Sequence, residues 1–188
     1  MKKIPFIIFL LLSTGCATQK TDYLLRPLPI SVAAAPQTKE ITALRDVDLP
    51  DYLNTLNFQY LRANNQLVKN PHARWGQNLP ENVRNVLLQN LGYLSKQTIH
   101  VYPLAPNIRP TRWIDVRIYD MIADEKKQQF YVHAVWHIAR AKQPPKTFTL
   151  IKHYPLNAVT PQELSQQYQH AIDDISHAIA QSLKSFLP

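Results

Sequence analysis

The chain has 188 residues, a formal net charge of +8 and 45% hydrophobic residues, a size and composition that fit one globular domain. Its basic residues are dispersed, and outside the N-terminus the longest basic cluster is the pair Lys126-Lys127, so a nucleic-acid partner is not predicted. Cys16 is the single cysteine, which excludes an intramolecular disulfide and leaves packing to provide the stability.

The first fifteen residues have the layout of a secretory signal peptide. Lys2 and Lys3 are followed by an apolar run over residues 4–12 and then by the small residues 13–15. This run is about nine residues long, whereas a membrane-spanning helix needs roughly 20, so we expect an export signal and not an anchor. Its removal leaves 173 residues from Cys16 onward and, because two lysines are lost, a formal charge of +6.

Cys16 ends a segment that resembles a bacterial lipobox, Leu12-Ser13-Thr14-Gly15-Cys16. The lipobox cysteine receives a diacylglyceryl group and becomes the mature N-terminus. Ser13 departs from that pattern, which usually has leucine three residues before the cysteine. The alternative is an ordinary cleaved signal followed by an unmodified cysteine. Because two or more acyl chains anchor a protein stably, lipidation predicts permanent membrane attachment, with residues 16–21 as a short tether.

Short strands are predicted in the first half of the mature chain, over residues 22–28, 40–47, 57–62 and 66–69. Asn64-Asn65 suits the turn between the last two strands, since asparagine tolerates positive φ. Apolar residues at helical spacing then predict a helix over 75–95. This helix begins either near Trp75 or at Asn78, which has Glu81 three residues later.

The second half is predicted to hold strands over 99–102, 112–121, 128–140 and 147–154, with a turn at Pro144-Pro145. A C-terminal helix of about 25 residues follows, in which Thr160 and Glu163 form a capping box. Its apolar stripe comprises Leu164, Tyr168, Ile172, Ile175, Ile179, Leu183 and Leu187. Such a helix can also lie on a membrane surface, but its polar face is poor in cations and carries Asp173-Asp174, which favours packing on the sheet.

These elements predict an α+β fold, in which two long amphipathic helices pack on one face of a mostly antiparallel sheet. Residues 22–188 are predicted to form one periplasmic domain of this kind.

Catalytic and metal-binding patterns are not found in the sequence. His133 and His137 lie on a predicted strand, where four residues span about 13 Å, too far apart for one zinc ion. His170 and His177 are two turns apart on the last helix. With three glycines there is neither a nucleophile elbow nor a phosphate-binding loop. We therefore expect no enzyme activity, no cofactor and no metal.

Several short segments occur in an order that resembles a known family. They are Leu49-Pro50-Asp51-Tyr52-Leu53, Asn64-Asn65-Gln66-Leu67 and Arg74-Trp75-Gly76 before an apolar helix, followed by three strands and an amphipathic helix. With the lipobox, they are similar to the ABC-transport auxiliary lipoproteins of the PqiC-like (YmbA-like) branch. The resemblance covers essentially all of the mature chain.

The resemblance implies a non-catalytic subunit tethered to the outer membrane, with its domain in the periplasm. Such proteins work with MCE-domain (PqiB-like) proteins, which form conduits for lipid between the two membranes and support envelope integrity. Ala17 follows the cysteine where inner-membrane lipoproteins usually have aspartate, which favours the outer membrane. A symmetric conduit would also favour a homo-oligomeric ring of this subunit.

Five residues match the family motifs and are candidate partner contacts: Pro50, Tyr52, Leu53, Arg74 and Trp75. Exposed aromatic and arginine residues are favoured at interfaces. The alternative is that Trp75 and Leu53 fill the core. Two other functions stay open, a periplasmic binding module for a small apolar ligand and an assembly lipoprotein of a different envelope machine.

Overall fold

The computed structural model describes residues 20–29 and 40–185, and the signal peptide, Cys16 and Leu187 lie outside these residues. The described part contains eight strands and two helices. The strands are β1 (Thr21–Tyr23), β2 (Thr42–Asp48), β3 (Asn57–Arg62), β4 (Gln66–Trp75), β5 (Ile99–Val101), β6 (Arg112–Asp124), β7 (Gln129–Arg140) and β8 (Gln143–Pro155). The helices are α1 (Leu79–Ser95) and α2 (Pro161–Lys184).

Strand β6 is the centre of the sheet. One of its edges pairs along its whole length with β7, which in turn pairs with β8. Its other edge is shared: β2 pairs with its first half and β3 with its last residues. Strand β5 lies outside β2, and β4 and β1 lie outside β3. The sheet is therefore split into two branches on one side of β6.

The α+β class is confirmed, but the sheet is mixed and not mostly antiparallel as predicted. Strands β2 and β3 both run parallel to β6, β5 runs parallel to β2, and β1 runs parallel to β4. The antiparallel pairs are β3–β4, β6–β7 and β7–β8. Alternating apolar residues show which face of a strand is buried, but they do not show the direction of its neighbour.

Helix α1 begins at Leu79 with Asn78 as its N-cap residue, the second of the two predicted starts. The residues before it belong to β4, which extends to Trp75 and is longer than the predicted strand over 66–69. Asn78 makes no side-chain capping bond, and its amide group donates to Oδ1 of Asn54 at 3.1 Å. Pro80 in the first turn fits this start, since its missing N–H needs no partner there.

Helix α2 confirms the predicted C-terminal helix. Thr160 Oγ1 accepts the Glu163 N–H at 3.3 Å, while the Glu163 carboxylate accepts the N–H groups of Asn157 and Ala158 at 2.7 and 3.0 Å. Its described apolar stripe is buried against the sheet: Leu164, Tyr168, Ile172, Ile175, Ile179 and Leu183. Among the described residues, neither helix is long and apolar enough to cross a membrane.

The segment after β1 lies along the two helices. The N–H groups of Leu25 and Leu28 donate to the side chains of Asn82 and Asn90 at 2.9 and 2.8 Å. The Gln169 amide binds both backbone groups of Arg26. Because side chains occupy these backbone groups, the strand predicted over 22–28 ends at Tyr23.

The predicted Pro144-Pro145 turn is wrong, because both prolines lie in β8. This strand pairs on one side only, so the missing proline N–H groups cost no ladder bond on its open edge. The turn before it has Lys142 at φ 66°. The turn predicted at Asn64-Asn65 is confirmed, with φ values of 63° and 60°.

Candidate partner interface

The loop between β2 and β3 holds three of the five candidate residues. Residues Asp51–Leu53 form one turn of 3-10 helix, closed by a bond from the Leu53 N–H to the Pro50 carbonyl at 2.9 Å. Pro50 is half-buried, whereas Leu53 is only 2% exposed. Leu53 therefore packs in the core, which was the alternative to a partner contact, whereas Pro50 lies at the surface.

Tyr52 fills the gap where the sheet divides. Its hydroxyl accepts the Met121 N–H at 3.0 Å and donates to the Asp120 carboxylate. In this part of β6, neither β2 nor β3 is paired with Met121. Burial and then the bond to Asp120 raise the pKa of Tyr52, so the hydroxyl stays protonated. The Tyr52 hydroxyl thus accepts the hydrogen bond from β6 that a paired strand would otherwise accept.

Trp75 lies in an aromatic cluster between the sheet and α2. Its ring stacks on Phe58 with the centroids 4.2 Å apart, and Tyr168 packs edge-on against it at 5.1 Å. Phe130 contacts Tyr168 from the other side at 4.8 Å. Trp75 is 2% exposed, so it fills the core and is not available at the surface of the folded domain.

Arg74 lies next to Trp75 but points to solvent. Its guanidinium donates to both carboxylate oxygens of Asp22 at 2.7 and 3.3 Å, which joins β4 to β1. This bond holds the pKa of Asp22 below its usual range. Both side chains are about half exposed at 48%, so a partner protein can reach the pair.

Two exposed leucines lie on either side of the end of β4. Leu24 and Leu56 are 47% and 44% exposed. Leu24 directly follows β1 and Leu56 directly precedes β3, and the Trp75 N–H donates to the Leu56 carbonyl while the Gly76 N–H donates to the Tyr23 carbonyl. A side chain at Gly76 would meet Leu24 at 3.5 Å, so this glycine leaves room for the leucine.

We call the residues around the end of β4 the Leu24–Leu56 patch, which comprises Leu24, Leu56, Gly76 and the Asp22–Arg74 ion pair. Sequence reasoning found Arg74 and missed both leucines. Arg74-Trp75-Gly76 marked the position, but neither leucine stands out in the sequence, because exposure depends on the strand pairing.

The sheet face opposite the helices carries aromatic and histidine side chains. Tyr119 stacks on His133 at 5.1 Å, and His137 Nδ1 lies 2.8 Å from Thr147 Oγ1. The two histidines lie on β7, a strand as predicted, and they contact different residues, Tyr119 on β6 and Thr147 on β8. Within residues 20–29 and 40–185 no group of three or more potential metal ligands occurs.

A pocket of about 250 Å³ opens at one end of this face. Its lining combines apolar and charged residues, namely Leu61, Asp120, Ile122, Asp124, Lys127, Gln129, Tyr131 and His153. Ligand pockets are typically about 300–1,000 Å³ and have few charged groups, so this one is small for a ligand site and has three charged side chains in its lining, those of Asp120, Asp124 and Lys127.

Residues 23–183 match the protein family described as ABC-type transport auxiliary lipoprotein component. The chain belongs to this family. The resemblance drawn from the sequence is therefore confirmed, and the match includes α1, nearly all of α2 and every residue of the Leu24–Leu56 patch except Asp22.

Solved structures share the fold of this family member. One, of an uncharacterized protein, is 17% identical with a TM-score of 0.68 and covers 88% of this chain and 99% of its own. Another, of a protein from Xanthomonas campestris, is 10% identical with a TM-score of 0.65 and covers 90% of this chain and 100% of its own. No protein with curated annotation matches the chain.

Proposed function

We propose that this protein is a periplasmic lipoprotein of the outer membrane and a non-catalytic subunit of an MCE-type system that moves lipid between membranes. The observation that carries the proposal is the family match over residues 23–183, whose members are transport auxiliary lipoproteins. In this role the domain binds the transport machine and leaves the movement of lipid to its partner.

The membrane anchor in this proposal is a lipid on Cys16. The lipobox-like segment before it and the name of the family both support lipidation. Ala17 in the position after the cysteine supports transfer to the outer membrane. The domain then lies in the periplasm, where the periplasmic part of an inner-membrane protein can reach it.

The Leu24–Leu56 patch is the surface we assign to the partner. Exposed leucines beside an arginine combine apolar area with a charged group, the combination that interface cores and their rims use. The ion pair between Arg74 and Asp22 holds the guanidinium in place at the surface. Leu53 and Trp75 support this surface from within the core, and Pro50 and Tyr52 shape the neighbouring loop.

Photo-crosslinking in intact cells tests the proposal. A photo-reactive residue replaces Leu56 or Arg74, and Thr149 on the exposed face of β8 is the matched control. We expect Leu56 and Arg74 to capture an MCE-domain protein and Thr149 not to capture it. Adducts confined to a different envelope machine, or to further copies of this chain, would contradict the MCE partner. An unchanged detergent sensitivity after deletion of the gene would contradict the role in envelope integrity.

A further inference from the structure

The domain has two ends along the direction of β6. The hairpin end carries the β3–β4 turn and the β6–β7 turn, because β3 and β6 run parallel and finish together. The opposite end carries the start of β6, paired with the end of β7, and the β7–β8 turn at residues 141–142. A lipid-anchored domain lies on its membrane in an orientation that its tether permits, and the strand register shows where that tether leaves the domain.

The tether leaves β1 toward the hairpin end. Strand β4 runs away from the hairpin turn, and β1 runs parallel to it, so the chain before β1 points back toward that turn. Asp22 is opposite Arg74, which is opposite Asn57. Asn57 is three residues before Tyr60, the partner of Ala123. Asp22 is therefore level with residue 120 of β6.

The length of the tether decides which end it reaches. Cys16 lies six positions before Asp22 in the chain, a distance of at most about 20 Å at 3.3–3.6 Å per residue. From the level of Asp22, the last residue of β3 is five residues away, about 17 Å. The opposite end at Arg112 is eight residues away in the other direction, about 26 Å. Cys16 can reach the plane of the hairpin end but not that of the opposite end.

The hairpin end has a surface that suits lipid headgroups. Leu67, next to the β3–β4 turn, is 42% exposed, and Lys69, Lys126 and Lys127 are exposed around it. Its acidic groups are paired, Asp124 with Lys127 at 3.2 Å and Glu125 with Arg62 at 3.3 Å. An exposed leucine among lysines fits a surface of anionic phosphates.

Lysine content alone does not choose between the ends, because Lys96 and Lys142 are exposed at the opposite end. The length of the tether shows that the hairpin end is the one that can lie at the membrane.

We propose that the hairpin end rests on the headgroups of the membrane that holds Cys16, with Leu67 at headgroup level and Lys69, Lys126 and Lys127 beside the phosphates. This inference rests on the proposed lipidation of Cys16. It directs the opposite end into the periplasm and leaves the Leu24–Leu56 patch at mid-height, accessible from the side.

The orientation is measurable because Cys16 is the single cysteine and the lipid occupies its sulfur. Leu67→Cys or Ala141→Cys then provides the one free thiol for a fluorescent label, at the hairpin end or at the opposite end. The lipidated full-length protein is reconstituted into vesicles of phosphatidylethanolamine and phosphatidylglycerol that contain a headgroup nitroxide quencher. We expect quenching several-fold stronger at position 67 than at position 141.

A second experiment tests the contribution of the lysines with two matched double variants of the Leu67→Cys protein. Lys69→Glu with Lys126→Glu should reduce the quenching at position 67, and Lys96→Glu with Lys142→Glu should leave it unchanged. Equal quenching at the two labels, or stronger quenching at position 141, would overturn the orientation while leaving the anchor and the partner untouched. Protein that carries no lipid and washes off the vesicles would overturn the anchor, and the orientation with it. A further outcome is a label at position 67 that is equally shielded from water in detergent and in vesicles without quencher, and yet is not quenched by the nitroxide. That result would show that another protein surface, and not lipid, covers position 67, and it would overturn the lipid contact.

Discussion

Tyr52 and Tyr168 bind the same residue of the central strand: the Tyr52 hydroxyl accepts the Met121 N–H, and the Tyr168 hydroxyl donates to the Met121 carbonyl, each at 3.0 Å. The N–H and C=O of one strand residue point to the same edge. Here that edge is the gap between β2 and β3, where no strand can satisfy them. Tyr52 comes from the loop that carries the family motif and Tyr168 comes from α2, so side chains from two different elements satisfy the backbone of β6 at the split in the sheet.

Tyr52→Phe should therefore destabilise the domain although it removes a single oxygen. The Met121 N–H loses its partner and Asp120 loses a donor, and an unsatisfied buried group costs about 1–3 kcal/mol. Urea unfolding followed by circular dichroism measures the change. Tyr131→Phe, on the exposed sheet face, is the control and should have little effect. Equal midpoints for Tyr52→Phe and the wild type would mean that the gap does not depend on this hydroxyl.

Alkaline pH should weaken the fold through Tyr168. Burial raises the pKa of its phenol in the folded state, whereas an exposed tyrosine ionises near pH 10. Above about pH 10 the unfolded chain loses this proton and the folded chain keeps it, so stability falls with rising pH, by about 1.4 kcal/mol per unit for this group. Below that pH the contribution is fully present. Unfolding free energies between pH 9 and 11 should show the decline, and a slope that is the same in Tyr168→Phe would contradict it.

The apolar stripe on α2 predicts that the same substitution has very different effects on stability at two nearby positions. Ile175 is completely buried against the sheet, and Ile175→Asp places an unpaired charge there, which costs several kcal/mol and can unfold a domain of ordinary stability. His177→Asp, two residues along and exposed, should leave the Tm nearly unchanged. Thermal unfolding of the two purified variants compares them. A folded Ile175→Asp protein with the Tm of the wild type would show that this stripe is not the packing face.

Some of the fold was accessible from the sequence because local rules agree with the tertiary structure. Residues 57–62 form a strand with the predicted limits, and Thr160 and Glu163 mark the start of α2. Other elements depend on partners that are distant in the chain. Residues 24–28 are not paired in the sheet, because Asn82, Asn90 and Gln169 bind their backbone from the helices.

In the candidate site, too, some features could be predicted from local sequence and others depend on the tertiary structure. The family motifs identified the correct region, but they could not separate Arg74 at the surface from Trp75 in the core. In a strand, adjacent residues point to opposite faces, and the register decides which face is buried. The exposure of Leu24 and Leu56 follows from the pairing of β1, β3 and β4, which no local pattern encodes.

The anchor is tested by Cys16→Ser, which removes the sulfur that would carry the lipid. We expect the variant to incorporate no labelled palmitate and to be lost from the outer-membrane fraction of cells, since stable attachment needs the acyl chains and the contact of the hairpin end with headgroups adds little to it. Exchange of the neighbouring Ser13 for leucine, the usual residue at that position, should preserve both signals. A Cys16→Ser protein that still incorporates palmitate and still fractionates with outer membranes would contradict the lipoprotein anchor.

The central claim is that the Leu24–Leu56 patch binds an MCE-domain protein, and co-purification from native membranes tests it most directly. The tagged lipoprotein is isolated in mild detergent, and the MCE-domain protein recovered with it is quantified for the wild type, Leu56→Asp and Leu67→Asp. Both leucines are similarly exposed, at 44% and 42%, so the two variants are matched in the surface they change. A charge in the centre of an interface that costs about 2–4 kcal/mol reduces affinity by roughly 30- to 1,000-fold. The account predicts recovery with the wild type and Leu67→Asp and its loss with Leu56→Asp; equal recovery in all three, or none with the wild type, would contradict it.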